Sequence, residues 1–273
     1  MDRFGVLILT HGRPKEQKTL ELLRKSGYTG RIWLVVDDLD ETLDEYRRIY
    51  GDSVIVFDKQ AYREITDTCD NTKNLATVVY ARNASYDIAD ELGLDYFVQC
   101  DDDIMSLAYR YRDKGKLKGL NVRDMDGVFE AYVEFMKAGD FPVLGFGAEI
   151  DTVGGRLKEV VFDLYQIFIC RTDRRVDFIG TVNEDTNTMC LLNSVGALTP
   201  KVCTVQYSSD ERGTNKGGLS RLYTEFNEYL RMFYTVMVFP SGVKISKGRT
   251  IEFSLKKSKN NIVPRIVRED VKK

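Results

Sequence analysis

The chain has 273 residues, 43% hydrophobic and 30% charged, with a formal net charge of −2, the composition of a globular protein with enough apolar material for one large core. No apolar run approaches the roughly 18 to 20 residues needed to span a bilayer, and the N-terminus lacks a secretion-signal pattern, so a cytoplasmic protein without a membrane anchor is expected. Five cysteines without Cys-x-x-Cys spacing argue against a disulfide framework and a zinc site, and the single histidine, His11, excludes any multi-histidine metal centre.

The first hundred residues alternate strand-like and helix-like segments. Phe4 to Thr10 is an apolar run ended by His11-Gly12-Arg13-Pro14, and such uninterrupted runs suit strands buried on both faces. Lys15 to Ser26 reads as a helix stopped by Gly27. Ile32 to Val36 is a second strand ending at Asp37-Asp38, Glu41 to Tyr50 a helix, and Ser53 to Phe57 a third strand. Thr72 to Leu92 reads as a long helix stopped by Gly93, and Leu94 to Cys100 as the fourth strand. This order predicts an α/β fold with a mostly parallel sheet flanked by helices.

Beyond residue 103 the pattern loosens. Tyr109 to Lys118 reads as a basic surface loop and Arg123 to Ala138 as a helix. Phe141 to Ala148 and Val160 to Cys170 read as strands, Glu184 to Val195 as a helix, and Lys201 to Ser208 as a strand. Ser209 to Gly218, with three glycines and no apolar residue, reads as a mobile loop, and Ser220 to Met232 as a helix. Strand-like pieces at Thr235 to Ile245 and Arg249 to Leu255 precede a basic tail. A core over 1–208, in two halves, 1–103 and 104–208, would carry a C-terminal β-rich and helical extension over 209–273. From Lys244 to the end there are ten Lys and Arg against three Asp and Glu, a balance of +7 that leaves −9 on the first 243 residues. A tail of that sign is either solvated or able to steer a polyanion such as nucleic acid.

Open parallel sheets bind ligands at the carboxyl ends of their strands. Here those ends deliver Thr10, His11 and Arg13; Asp37 and Asp38; Asp58 and Lys59; and Asp101, Asp102 and Asp103. Three adjacent aspartates repel one another unless neutralised, and alternation along an extended backbone puts Asp101 and Asp103 on one side. Two carboxylates so placed are natural ligands for Mg²⁺ or Mn²⁺, with water and phosphate oxygens completing the shell. Asn183-Glu184-Asp185 is a second acidic group, at a loop-to-helix junction where acidic residues also simply complement the helix dipole. Arg212 and Lys216, in the glycine-rich loop, are candidates to close over phosphates. A glycosyltransferase, a metal-dependent nucleotidyltransferase and a non-catalytic DNA-binding protein all remain open from these residues alone.

Tyr80-Ala-Arg-Asn-Ala84, Ile88-Ala89, Leu92-Gly93, the run Tyr96 to Asp103 and the later Glu184-Asp185 together resemble inverting glycosyltransferases of the GT-A fold, over about residues 4 to 195. Thr10 to Pro14, Asp37-Asp38, Phe57-Asp58-Lys59 and the aspartate cluster are more narrowly similar to the TET-associated glycosyltransferases of bacteriophages, a group associated with adding sugars to hydroxymethylated cytosines in DNA. The resemblance implies a nucleotide pocket lined by Thr10, His11 and Arg13, with Asp38 near the base or ribose and Arg82 near the diphosphate. It implies Asp101 and Asp103 beside a divalent cation, Mn²⁺ or Mg²⁺, with Asp102 contacting ribose or sugar. Asp185 would be the general base and Glu184 would orient the acceptor. It further implies a UDP-linked donor, UDP-glucose or UDP-N-acetylglucosamine, and a DNA acceptor engaged through the basic tail, in the host cytoplasm for a phage-encoded enzyme. A small molecule, a glycan or a protein is the other acceptor class. Many GT-A enzymes take a third metal ligand from a histidine well after the Asp motif, and this chain has none there.

Overall fold

The computed structural model describes residues 3–71, 74–152, 160–161, 165–209, 231, 233–247 and 251–255. The elements, in chain order, are β1 (Phe4–Leu9), α1 (Lys18–Lys25), β2 (Arg31–Asp37), α2 (Leu43–Tyr50), β3 (Val54–Phe57), α3 (Lys59–Ile65), α4 (Val79–Glu91) and β4 (Tyr96–Asp101). They continue with β5 (Ile104–Asp113), β6 (Lys116–Asn121), α5 (Met125–Gly139), β7 (Val143–Ala148), β8 (Val160–Val161), β9 (Ile167–Arg171), α6 (Glu184–Ser194) and β10 (Lys201–Ser209). A separate two-stranded sheet, β11 (Val243–Lys247) with β12 (Ile251–Leu255), closes the described chain.

The main sheet runs β3-β2-β1-β4-β9-β7-β10-β5-β6, with β8 paired to β10. Its strands β3, β2, β1 and β4 are mutually parallel, and the remaining pairings leave only β5, β8 and β9 running against the common direction. The fold is therefore α/β with a mostly parallel sheet, as its alternating pattern predicts. Because β1 is buried on both faces, its side chains alternate between two apolar layers. Val6 and Ile8 pack with Leu23, Tyr46 and Phe129 on one face. Leu7 and Leu9 pack with Val79, Tyr80 and Met189 on the other. The chain proceeds from β1 to β2 and β3 on one side and returns to place β4 on the other, so the strand order reverses at β1. A crevice at the carboxyl ends of β1 and β4 is the natural ligand site of such a sheet.

Four expectations are corrected. Tyr109 to Lys118 is not a loop but most of the β5–β6 hairpin; its charge density hid the alternation of an exposed edge strand. The helix expected over 72–92 begins only at Val79, because residues 74–78 turn on local bonds: Asn74 Oδ1 accepts from Ala76 N and Thr77 Oγ1 from Val79 N. In its place α3 was missed, although Asp58 is a good capping residue whose carboxylate accepts from Ala61 N at 2.8 Å. The strand expected from Thr235 is helical over 233–238. The strand expected over Val160 to Cys170 is described only as β8 and β9. The expected loop over 210–218 with Arg212 and Lys216, most of the helix Ser220 to Met232, and the tail from Lys256 lie outside the described residues. No described cysteine joins a disulfide, and Cys100, Cys170, Cys190 and Cys203 are buried. Among the described residues no helix is long and apolar enough to cross a membrane.

Gly27 ends α1 as expected, and its geometry has a physical requirement. Tyr28 N donates to Leu23 O at 3.0 Å and Gly27 N to Arg24 O at 3.1 Å, the paired bonds of a Schellman cap, with Tyr28 and Leu23 in the same apolar layer. Gly27 has φ +87°, and a Cβ there would lie 2.2 Å from Arg123 O. Gly27→Ala is expected to lose about 1–3 kcal/mol or more of stability in urea unfolding, since strain and clash add. A loss below about 0.5 kcal/mol would show that the cap relaxes freely.

Candidate functional site

The turn after β4 organises the site. β4 stops at Asp101, and Asp102-Asp103 form a tight turn before β5. Alternation therefore ends at Asp102, which points inward and is 1% exposed, while Asp101 and Asp103 are only half-buried at the rim. The start of α1 fastens this turn. Thr19 N donates to Asp102 O at 3.1 Å, Thr19 Oγ1 donates to Asp101 O at 2.7 Å, and Thr19 Oγ1 accepts from Ile104 N at 2.9 Å. Amides at a helix start have no partner within the helix, so the turn supplies one that the helix cannot.

Inside the turn, Asp102 Oδ2 accepts from Thr10 Oγ1 at 2.6 Å, and Arg13 Nη2 lies 2.7 Å from Asp102 Oδ1. Thr10 Oγ1 in turn accepts from Gln17 Nε2 at 2.9 Å and contacts Tyr46 OH at 2.7 Å, while Tyr46 OH accepts from Arg13 N at 2.9 Å. Burial pushes the Asp102 carboxyl up to about 7, and Asp103 and Asp101 add to the rise against the opposing pull of Arg13 and Thr10. Asp102 thus holds the first-strand segment to the fourth strand.

At the end of β2, Asp37 Oδ2 lies 2.7 Å from His11 Nδ1 and 3.1 Å from Lys59 Nζ. Burial alone would raise Asp37, but the His11 hydrogen bond and the Lys59 ammonium outweigh it and hold the carboxyl below its ordinary range. Asp40 Oδ2 accepts from Gly12 N at 2.7 Å, so it shapes the loop that carries His11 and Arg13. Asp38 is exposed at the strand end, with its Oδ1 accepting from Lys59 N at 2.8 Å. Asp58 is the cap of α3 and Lys59 the partner of Asp37, so both of these strand-end residues have structural work.

Arg82, expected beside a diphosphate, is 1% exposed and belongs to the interior. Its Nη2 donates to Asp101 Oδ1 at 2.9 Å and its Nε to Glu184 Oε1 at 3.2 Å, while the guanidinium lies 4.7 Å from the Phe168 ring centroid. One rigid fork therefore joins β4 to the first residue of α6. Burial opposes the guanidinium charge, but Asp101, Glu184 and Asp185 overcome it and raise the Arg82 pKa. Glu184, also buried, is pushed up to about 7 by burial and by Asp185, with Arg82 pulling down. Asp185 is half-buried beside it, its Oδ1 accepting from Thr186 N at 2.6 Å.

The preceding residue, Asn183, adopts the left-handed conformation (φ 54°) and hands its amide to Arg231 O at 3.0 Å and Thr235 Oγ1 at 2.9 Å. Thr181 N donates to Tyr234 OH at 2.9 Å, and that phenol donates to Asp70 Oδ2 at 2.6 Å. Arg231, Tyr234 and Thr235 therefore brace the segment that leads into the acidic pair. Sequence reasoning missed Tyr46, Thr19, Asp40 and Tyr234 because nothing local marks a side chain whose partner is 28 to 166 positions away, and it missed Gln17, whose partners Thr10 and Arg13 are near in sequence, because the loop between them has no periodic pattern.

Among the described residues no group of three or more His, Cys, Asp and Glu side chains could hold a metal ion. The site instead offers two hard-oxygen carboxylates at the rim, Asp101 and Asp103, with one Asp101 oxygen on Arg82 and its side chain still 27% exposed. That donor set fits an open divalent site completed by water and ligand phosphates, the usual habit of Mg²⁺ and Mn²⁺.

A family model described as TET-Associated Glycosyltransferase matches residues 4–218. Among solved structures, S. aureus TarS 1-349 is 16% identical with a TM-score of 0.45, covering 76% of this chain and 60% of that one. Glucosyl-3-phosphoglycerate synthase from Mycobacterium tuberculosis, in complex with Mg²⁺ and UDP, is 10% identical with a TM-score of 0.49, covering 96% and 90%. The mannosyltransferase PcManGT from Pyrobaculum calidifontis, in complex with GDP-Man and Mn²⁺, is 11% identical with a TM-score of 0.48, covering 86% and 64%. The chain thus spans about three fifths of the length of the TarS structure. No curated protein matches the chain.

Removing the Arg82 fork tests the geometry directly. Arg82→Met should cost about 3–5 kcal/mol in urea unfolding, because it strands carboxylates inside the protein. Adding Glu184→Gln to that variant should return part of the loss, since the uncompensated charge goes with it. Strictly additive losses would show that Arg82 and Glu184 are not coupled.

Proposed function

The chain belongs to the TET-associated glycosyltransferase family, and from that premise we propose that it moves a sugar from a nucleotide-sugar donor onto an acceptor hydroxyl with inversion. The observation that carries the reading is the Arg82 bridge, which joins the Asp101–Asp103 turn to the Glu184–Asp185 pair through two neighbouring nitrogens of one guanidinium. A transferase of this kind needs two such poles: charge stabilisation on the leaving-group side and a base on the acceptor side.

In this proposal Asp101 and Asp103 hold Mg²⁺ or Mn²⁺, which when bound neutralises charge on the departing nucleotide diphosphate. Thr10, His11 and Arg13 line the nucleotide pocket, with Asp38 at its outer wall toward the base or ribose. Arg82 and Asp102 act on the donor through their neighbours, by fixing Asp101 and by fixing Thr10 and Arg13. Asp185 takes the proton of the incoming hydroxyl, and Glu184, anchored on Arg82, keeps it aimed. One attack opposite the leaving group breaks the sugar–phosphate bond as the new glycosidic bond forms, so no covalent sugar intermediate is needed. The donor is proposed to be UDP-linked, UDP-glucose or UDP-N-acetylglucosamine, and the acceptor to be hydroxymethylcytosine in DNA, a reading supported by the family and by the basic C-terminal tail.

The test is incubation with a panel of nucleotide sugars and hydroxymethylcytosine DNA, with and without Mn²⁺, followed by mass analysis of nucleosides. Sugar mass should appear on hydroxymethylcytosine with release of nucleoside diphosphate; transfer of a nucleotide instead would make the enzyme a nucleotidyltransferase. Asp185→Asn should keep donor affinity within about threefold while transfer falls roughly 10²- to 10⁴-fold, the range general-base catalysis supplies. A normal rate in that variant removes Asp185 from the chemistry. Asp101→Ala and Asp103→Ala should each lose turnover, and full activity in either removes the metal role.

A further inference from the structure

The β5–β6 hairpin begins at Ile104, one residue beyond the aspartate turn, and leads away from the site. At about 3.4 Å per residue, its ten-residue first strand reaches roughly 30 Å from that turn to the tip. The tip is a two-residue turn in which Lys114 (φ 48°) and Gly115 (φ 78°) both take positive φ, the geometry that matches the twist of paired strands. β6 is the last strand of the sheet path, so the hairpin is its outer edge.

This arm concentrates positive charge. Arg110, Arg112, Lys114, Lys116, Lys118 and Arg123 fall within fourteen positions that contain one acid, Asp113, in a chain whose net charge is −2. Lys118 pairs with Asp113, and Arg110 lies 3.5 Å from Glu149. Arg112, Lys114 and Lys116 cluster around the tip and are all exposed, beside the exposed Tyr111. Cations on an edge strand also guard against edge-to-edge pairing, but that role asks only for charge, not for its sign. An arm with six cations and one acid issuing from an acidic turn has a sign to explain.

We propose that the β5–β6 hairpin is a docking surface for the phosphodiester backbone of a DNA acceptor, with Arg112, Lys114 and Lys116 contacting phosphates while the modified base lies at the Asp101–Asp185 site. This rests on the DNA-acceptor reading above and assigns the contact to the described core rather than to the tail alone. The phosphates contribute affinity and register, and the base site contributes the choice of acceptor.

The variant Arg112→Glu/Lys114→Glu/Lys116→Glu separates the two roles, because it keeps the edge charged while reversing its sign. With the full chain, binding to hydroxymethylcytosine DNA should weaken at least about tenfold at moderate salt. The slope of log affinity against log salt should fall by roughly 3, near 0.9 per lost phosphate contact. Transfer to free hydroxymethyl-deoxycytidine and the thermal midpoint should stay at wild-type values. Wild-type DNA affinity and slope in the variant, or equal losses on nucleoside and DNA, would overturn the proposal. If the wild type modifies the DNA and the variant binds and modifies it equally well, the hairpin assignment fails alone; if the wild type neither binds nor modifies the DNA, the acceptor reading fails and takes the hairpin with it. Should the triple variant not fold, Lys116→Glu carries the test, with an expected slope loss of roughly 1.

Discussion

The site depends on one buried guanidinium. Burying a charge is costly unless it is paired and hydrogen-bonded, and Arg82 meets that condition by holding Asp101 and Glu184 together, with Gln99 Oε1 accepting from its Nη1. The constraint runs both ways. Asp101 ends a strand from the first half of the chain, and Glu184 opens a helix 83 positions later; without the cation between them neither carboxylate has reason to sit there. The guanidinium carbon also lies over the Phe168 ring, 4.7 Å from its centroid, a cation–π contact that adds to the two ion pairs. A lysine could neutralise the charge but not span the two acceptors, since it lacks the planar fork.

The same economy governs the three aspartates. A run of three carboxylates is unstable as a group, and the fold divides it among three environments. Asp101 is matched by Arg82, Asp102 is turned inward onto Thr10 and Arg13, and Asp103 stays at the rim. The inward residue bears the desolvation, which is why its carboxyl is pushed to about 7. Thr19 makes this division possible by taking the backbone of the turn into the start of α1. Residues 10 to 19 therefore serve the aspartate turn twice, through side chains in the loop and through backbone at the helix start.

How much of this could be read from the sequence follows from the range of each interaction. Strands β1 to β4 were legible because a strand buried on both faces is an unbroken apolar run, and the end of α1 because Gly27 is required there by a local cap. The start of α6 at Glu184 was legible because its acids suit a helix start. Asp58 was read as a site residue when its short-range role is to cap α3, a conflict between two readings of one strand-end polar residue. The hairpin was missed because its apolar signal, carried by the buried Leu107 and Ala108, fades through the partly buried Tyr109 and Arg110 to Tyr111 and Arg112, which meet solvent. Arg82 and Glu184 were both singled out, yet their partnership spans 102 positions and left no periodic trace. The bracing of Asn183 by Thr235 and Arg231 is of the same kind.

These ranges explain an asymmetry in the molecule's charge. Acidic side chains are drawn inward, where each finds an internal donor: Asp37 on His11 and Lys59, Asp40 on Gly12 and Thr42, Asp151 on Lys201, Glu184 on Arg82. The cations of β5 and β6 instead stay out at the sheet edge, where solvation holds a charge at little cost. An acidic centre with a basic margin repels a polyanion at its middle and attracts it at its border.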